Sequence, residues 1–117
     1  MTLPPRIPKK SKRASRWRSQ AHAAFVRSFA CSVCGATAPI EFAHVRIGSG
    51  AGMGQRPDDW SAVSLCGGPD GCHARQHREG ERTFWRGRDV EALIEAFIAA
   101  SPKRTEIERV RRERANG

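Results

Sequence analysis

Four cysteines form two pairs that could hold a metal ion. Cys31 and Cys34 make a Cys-x2-Cys turn, and Cys66 and Cys72 follow later in the chain. A single pair of this kind can be a redox motif, but two pairs favour a structural zinc ion bound by four thiolates. Five residues separate Cys66 from Cys72, which is wider than the usual interval of about two to four residues. The sequence therefore predicts zinc here, with an unusual second pair.

Two histidines directly after the second pair could bind another ion. His73 and His77 are four residues apart, so they lie on one face of a helix. An ion held by two imidazoles keeps positions open for phosphate and water. Imidazole binds transition metals and also tolerates Mg²⁺ or Mn²⁺, so the pattern does not fix the metal. A mixed zinc site, made of the first cysteine pair and these histidines, is disfavoured because the interval is far longer than in a zinc finger.

A third histidine, His44, lies in an apolar stretch typical of a strand, residues 39–47. A break in the alternation at Ala43 would turn His44 to a face of its own. Imidazole has a reference pKa of about 6.5, so a neutral His44 could accept a proton near pH 7. A lone histidine in a strand is usually structural, and His44 gains interest only from the helical pair. His22 is expected to be a packing or surface residue.

Two strands and a helix must position these side chains. The pattern predicts strands over residues 39–47 and 61–65, and a helix from near Cys72 to Gly80. The glycine-rich stretch 48–54 is a flexible connector, because no helix pattern follows it as in a phosphate-binding loop. Together these elements form a strand-strand-helix unit.

Further helices flank that unit. The first is predicted over residues 15–29, and a short turn over 81–85 brings two aromatic residues to the core. Asp89 caps an amphipathic helix that ends at Ser101. A capping box at 105–108 starts a last, mostly charged helix with little to bury. The apolar stripe of the first helix consists of Trp17, Ala21, Phe25 and Phe29.

The composition describes one small basic domain. The chain has 117 residues, of which 38% are hydrophobic and 28% charged, so its core is small and a bound metal would stabilise it. The net charge of +9 either keeps the protein soluble or attracts a polyanion, and nucleic acid is the favoured partner. No apolar run approaches the roughly 20 residues of a membrane span, and no signal peptide is evident. We therefore expect a cytoplasmic protein without a membrane partner, where paired cysteines more often bind metal than form disulfides.

The basic residues are concentrated at the N-terminus. Residues 1–18 carry seven lysines and arginines and no acid, and three prolines oppose a helix at the start. This stretch is predicted to be a flexible basic arm that either contacts nucleic acid or is a solvated tail. Residues 19–100 form the zinc-bound domain, and residues 101–117 form a charged helix or tail. The residues expected to contact nucleic acid are Lys9, Lys10, Lys12, Arg13 and Arg46.

Three features together resemble a known family: the Cys-x2-Cys turn, a strand ending in Ala-His, and the run Leu-Cys…Cys-His-x3-His. They resemble the HNH (ββα-metal) endonuclease superfamily. The run S-L-C…C-H-A-R-Q-H-R-E-G-E-R-T-F-W is similar to small phage and prophage members related to the RecA-dependent phage recombination enhancement nuclease. The similarity covers about residues 19–99. It implies an α+β fold, a small zinc-stabilised ββα-metal core with flanking N- and C-terminal helices.

The resemblance also implies roles. His44 matches the general base, and His73 and His77 match the helix ligands of the catalytic divalent ion. The structural zinc knuckle is matched by Cys31, Cys34, Cys66 and Cys72. Ala43 stands where many members have a metal-binding Asp or His, and Ser61 stands where they have an Asn that orients the base. Either loss could be compensated, by Glu41 near the metal or by a backbone carbonyl at the base.

The function implied is a metal-dependent DNA endonuclease or nickase that leaves 5′-phosphate and 3′-hydroxyl ends. Its cofactors would be a structural Zn²⁺ and a catalytic Mg²⁺, Mn²⁺ or other divalent ion. Its partners would be DNA and, by the same resemblance, a recombinase filament. Because of the two departures, the alternative is a non-catalytic zinc-containing module that binds nucleic acid.

Overall fold

The computed structural model describes residues 2–8, 16–51 and 55–116. Within these ranges the chain is an α+β protein in which several helices surround a two-stranded antiparallel sheet. The elements in order are α1 (Gln20–Arg27), β1 (Ile40–His44), β2 (Ala62–Cys66), α2 (Cys72–Glu79), α3 (Glu81–Phe84), α4 (Val90–Ala100) and α5 (Arg104–Asn116). In this described part of the chain no helix is long and apolar enough to cross a membrane.

The sheet has a continuous register over its whole length. Ile40 pairs with Cys66 at one end and His44 pairs with Ala62 at the other. Ala43 pairs with Val63 between them, so the predicted break in alternation is wrong. His44 therefore lies on the same face of β1 as Phe42, and the two ring centroids are 4.9 Å apart.

The strand-strand-helix order β1–β2–α2 agrees with the expectation from sequence. Helix α2 begins at Cys72 and ends at Glu79, between Gly71 and Gly80. A Cβ at Gly71 would collide with the backbone carbonyl oxygens of Cys66 and Gly67, so the loop before the helix closes tightly on itself. This close approach brings the two cysteines of the second pair together across their wide interval.

Helix α1 is shorter than predicted. It begins at Gln20 because Ser19 caps it, with the Ser19 hydroxyl accepting a hydrogen bond from the backbone NH of His22 at 3.1 Å. Upstream of the cap, Trp17 is buried in the core outside any helix, and Ala21 is exposed. The predicted stripe is therefore wrong, and the buried face consists of His22, Ala23 and Val26.

His22 is a packing residue, in line with the sequence expectation. Its ring is wholly buried, and Nδ1 lies 2.8 Å from the Ser101 hydroxyl at the end of α4. Nε2 has no hydrogen-bond partner within the described residues. Because burial disfavours the charged ring, the pKa of His22 is lowered, although Asp59 opposes the shift.

The C-terminal helix is part of the core. Asp89 caps α4 as predicted, accepting a hydrogen bond from the NH of Ala92 at 2.9 Å. Helix α5 begins at Arg104, so Thr105 lies inside it and the predicted capping box is wrong. Ile107 is wholly buried, contrary to the expectation that this helix has little to bury. The core thus extends beyond the boundaries predicted at residues 18 and 100, since it includes both Trp17 and Ile107.

Candidate metal centre and adjoining cleft

The four thiols meet at one point. Cys31 and Cys34 lie on the turn after α1, Cys66 ends β2 and Cys72 begins α2, and their sulfur atoms all lie within 4.8 Å of one another. The Cys34 and Cys66 sulfurs are 3.6 Å apart. Zn–S bonds of about 2.3 Å give a tetrahedron with edges of about 3.8 Å, so the cluster could hold a metal ion such as zinc.

A bound cation would favour the ionised form of the clustered thiols. Burial raises the pKa of the Cys31 thiol, but backbone NH groups of Cys34, Val33 and Cys66 overcome that effect and lower it to about 6. Burial, and then the neighbouring thiols, raise the pKa of Cys72. Four sulfurs this close cannot all ionise alone, whereas a bound metal cation deprotonates its thiol ligands.

The mixed zinc site, made of Cys31, Cys34 and the two helix histidines, is not supported, because the four thiols converge on each other. They form the one group of three or more candidate ligands among the described residues.

The histidine pair lies on an exposed face of α2. The Nε2 atoms of His73 and His77 are 3.2 Å apart, so both could reach one ion at bond lengths of about 2.0–2.1 Å. Nδ1 of His73 lies 2.9 Å from a carboxylate oxygen of Glu41 on β1. A carboxylate behind a histidine ligand fixes the tautomer and makes the ligating nitrogen more basic. The pair could hold a divalent ion, with the Glu41 carboxylate at the far nitrogen of His73.

The third imidazole is held by an aspartate. His44 Nε2 lies 2.9 Å from Oδ1 of Asp59, in the turn that precedes β2. The same carboxylate accepts hydrogen bonds from the NH of Ser19 at 2.9 Å and from Arg18 at 3.2 Å. An ionised carboxylate only accepts, so His44 carries its proton on Nε2 and keeps a lone pair on Nδ1.

Asp59 is the residue that sequence reasoning missed. The available signal is the antiparallel register, which places the turn before β2 beside the end of β1. Ser61, the expected position of an orienting side chain, is buried and its carbonyl instead accepts a hydrogen bond from the NH of Val45 at 2.8 Å. Ala43 is wholly buried and offers no ligand.

The pKa of His44 is lowered. Burial is the largest cause, Asp59 opposes it, and the charges of Arg56 and Arg18 add to the lowering. Since the reference value is about 6.5, the ring is mostly neutral at pH 7. A neutral imidazole with a fixed tautomer can accept a proton.

One cleft of about 710 Å³ is lined by all three imidazoles, His44, His73 and His77. It runs along β1 and is also lined by three exposed arginines, for which no carboxylate partner is found in the described parts of the chain. These arginines are Arg27, Arg46 and Arg56. Arg46, one of the residues predicted to contact nucleic acid, lines this cleft. The other predicted contacts, Lys9, Lys10, Lys12 and Arg13, lie outside the described residues.

Comparison with protein families matches residues 4–99 to a family described as "Protein of unknown function (DUF968)". The chain belongs to the DUF968 family. No curated protein and no solved structure matches it. The DUF968 match contains the four cysteines, the three imidazoles of the cleft and Asp59, and it ends before α5. The DUF968 description assigns no activity to these residues.

Proposed function

We propose that this protein is a metal-dependent endonuclease or nickase that hydrolyses phosphodiester bonds of DNA. The observation that carries the proposal is one basic cleft lined by three imidazoles, of which His44 is held by Asp59 at 2.9 Å. The resemblance to the HNH superfamily and the order β1–β2–α2 support it. In this proposal the four thiols hold a structural zinc ion that keeps the scaffold folded.

The residues of the cleft divide the chemistry between them. Phosphodiester hydrolysis needs a deprotonated water and a stabilised transition state. His44 Nδ1 takes a proton from water, the water oxygen bonds to phosphorus, and the bond from phosphorus to the 3′-oxygen breaks. The 3′-oxygen takes up a proton from solvent, which leaves 5′-phosphate and 3′-hydroxyl ends.

The remaining groups bind the DNA backbone. Three arginines of the cleft lie where they can donate hydrogen bonds to non-bridging oxygens of the cut phosphate or of a phosphate next to it. His73 and His77 would hold the divalent ion, which when bound neutralises charge on the phosphate oxygens. Glu41 orients His73 through the 2.9 Å contact to its Nδ1.

Cleavage of supercoiled plasmid with Mg²⁺ or Mn²⁺ tests the proposal. His44→Ala should lower the rate by roughly 10²- to 10⁴-fold, because it removes the general base. The matched control is Arg112→Ala on α5, an exposed side chain that does not line the cleft. If wild type and His44→Ala give equal, background-level cutting with every metal, the proposal is wrong.

Metal content tests the division between the two ion sites. We expect one tightly bound zinc and one weaker, exchangeable ion, and His73→Ala should lose only the exchangeable one. If His73→Ala loses its tight zinc and unfolds, the histidines are structural ligands.

A second candidate is a zinc-containing module that binds nucleic acid without cutting it. It is favoured by the buried Ala43, which leaves the histidine pair without a third protein ligand at that position, and by the buried Ser61, which stands in place of a residue that orients the base. Gel shifts at several salt concentrations, with a product gel alongside, separate the two functions. Steep salt dependence without product supports the module.

A further inference from the structure

A second cleft adjoins the first beside the start of α1. Its volume is about 410 Å³, and it shares Arg27, Phe42 and Arg56 with the cleft of the imidazoles. Three shared residues mean that the two clefts are neighbours along β1. A molecule too long for the first cleft can therefore continue into the second.

The charge of the second cleft suits a phosphate. Arg18 lines it too, but Arg18 is paired with Asp59 at 3.2 Å, so these two charges largely cancel. Arg27 and Arg56 supply the remaining charge, and neither has a carboxylate partner in the described ranges. Two exposed guanidinium groups at one boundary can hold a single phosphate from two sides.

The third shared residue is aromatic. Phe42 is partly exposed at the boundary, with its ring 4.9 Å from the His44 ring. A basic groove with an aromatic side chain is the combination on which proteins stack the bases of single strands. The volumes of both clefts fall within the roughly 300–1,000 Å³ of small-molecule sites, which suits one nucleotide in each cleft.

We propose that a single DNA strand runs through both clefts. The phosphate to be cut lies at His44, and the neighbouring nucleotide lies in the second cleft with its phosphate on Arg27 and Arg56 and its base against Phe42. This inference rests on the proposed function. It adds that the substrate is a strand extending past the cut and that this extension contributes to binding.

Gln20 allows the second cleft to be tested by itself. It is exposed, lines only the second cleft and is the first residue of α1, where an acid is well tolerated by the helix dipole. Gln20→Glu should repel the strand and Gln20→Lys should attract it. Ala96→Glu is the matched control, since it adds the same charge on the exposed face of α4, outside both clefts.

Two substrates then distinguish an effect on binding of the strand from an effect on the hydrolysis step. One is a single-stranded oligonucleotide, and the other is bis(p-nitrophenyl) phosphate, a phosphodiester without neighbouring nucleotides. For the oligonucleotide, kcat/KM should fall about three- to fivefold in Gln20→Glu and rise by a similar factor in Gln20→Lys, as expected for one exposed charge pair. For bis(p-nitrophenyl) phosphate it should not change. Equal effects of Gln20→Glu and Ala96→Glu, or equal changes for both substrates, would overturn the inference.

Binding without cleavage gives a test that does not depend on the proposed function. In a His44→Ala background, the affinity for a labelled single strand is measured over a range of salt concentrations. Arg27→Ala and Arg56→Ala should each reduce the slope of log affinity against log salt by about 0.7, the value for one contact to single-strand phosphate. Arg112→Ala should leave the slope unchanged.

The outcomes of this binding test distinguish two failures. If no variant hydrolyses either substrate but Arg27→Ala and Arg56→Ala reduce the slope, the proposed function is wrong and the strand path is supported. If the slope does not change, the strand path is wrong whatever the activity. The restriction to a single strand is wrong if a duplex of the same sequence binds as tightly as the single strand and if Arg27→Ala and Arg56→Ala reduce its salt slope by the same amount.

Discussion

At the scale of single residues, Asp59 is the centre of the candidate site. Its carboxylate contacts His44, the NH of Ser19 and Arg18, so one side chain links the proposed base to the start of α1. Its neighbour Asp58 faces elsewhere and accepts hydrogen bonds from the NH of Trp17 at 2.6 Å and from Arg114 at 2.8 Å. Adjacent aspartates with different partners offer a matched pair of variants.

Asp59→Asn should slow cleavage by roughly 10- to 100-fold, less than loss of the base itself. Asp59 raises the pKa of His44 against the lowering by burial, so its removal lowers that pKa further. In the proposed mechanism the active His44 ring is neutral, so activity is lost as pH falls through this pKa. The acidic limb of the pH–rate profile should therefore lie below pH 6.5 in wild type and at still lower pH in Asp59→Asn. Asp58→Asn should leave the limb in place, and an unmoved limb in Asp59→Asn would contradict the assignment.

His22→Phe should change how stability depends on pH. Burial lowers the pKa of His22 in the folded state, and the opposing charge of Asp59 does not cancel this. The unfolded chain therefore binds more protons below about pH 6.5, and the free energy of unfolding falls as pH drops through that value. Phenylalanine keeps the ring contacts with Trp17 and Phe42 and cannot titrate.

Urea denaturation of the wild type and of His22→Phe at pH 7.5 and 5.5 measures this effect. The wild type should lose more stability between the two pH values than His22→Phe. Any titration of the thiol cluster is common to both proteins, so the difference isolates His22. Equal losses would show that His22 titrates alike in the folded and unfolded chain.

At the scale of elements, the thiol cluster joins three pieces of the chain. These are the turn after α1, the end of β2 and the start of α2. The NH of Cys72 donates a hydrogen bond to the Cys66 sulfur at 3.2 Å, which fixes the first turn of α2 and so the direction of His73. A metal ion in this cluster would hold the helix that carries the histidine pair against the sheet that carries His44.

Cys66→Ser should therefore abolish cooperative folding. Structural zinc contributes roughly 10–16 kcal/mol of binding free energy, as much as the whole stability of a typical domain at about 5–15 kcal/mol. Circular dichroism melts together with metal content measure the loss, and a strong chelator should have the same effect on wild type. The control is Asp70→Asn, an exposed residue in the same loop. A Cys66→Ser variant that melts like Asp70→Asn would show that no structural metal is needed.

At the scale of the whole molecule, the helix beyond the DUF968 match supports the candidate site. Trp17 Nε1 donates a hydrogen bond to Glu106 at 3.0 Å, and Arg114 binds Asp58 at 2.8 Å. Helix α5 thereby holds the turn from which Asp59 reaches His44. The core is therefore completed by residues of α5 that lie outside the DUF968 match.

Ile107→Ala should cost about 2–5 kcal/mol of unfolding free energy, because it leaves a cavity at a wholly buried position. The exposed variant Arg112→Ala, on the same helix, should stay within about 0.5 kcal/mol of wild type. Urea denaturation of the two variants measures the difference. A loss for Ile107→Ala as small as that for Arg112→Ala would mean that α5 is not part of the folding unit.

The sequence by itself determined the features that depend on neighbours along the chain. The bounds of α2 between Gly71 and Gly80, and the cap of α4 at Asp89, follow from local signals and agree with the structure. The spacing of the cysteines likewise indicated a four-thiol cluster, which the fold brings within 4.8 Å. Local backbone preferences and helix capping act within a few residues, so they can be predicted from the amino-acid sequence.

Only the tertiary structure decided which distant groups meet. The contact of Asp59 with His44, and of His22 with Ser101, joins residues 15 and 79 positions apart. The burial of Ile107 against the core has the same origin. These contacts depend on the register of the sheet and on how the helices pack, which are set by the burial of the whole apolar surface and leave no local pattern in the sequence.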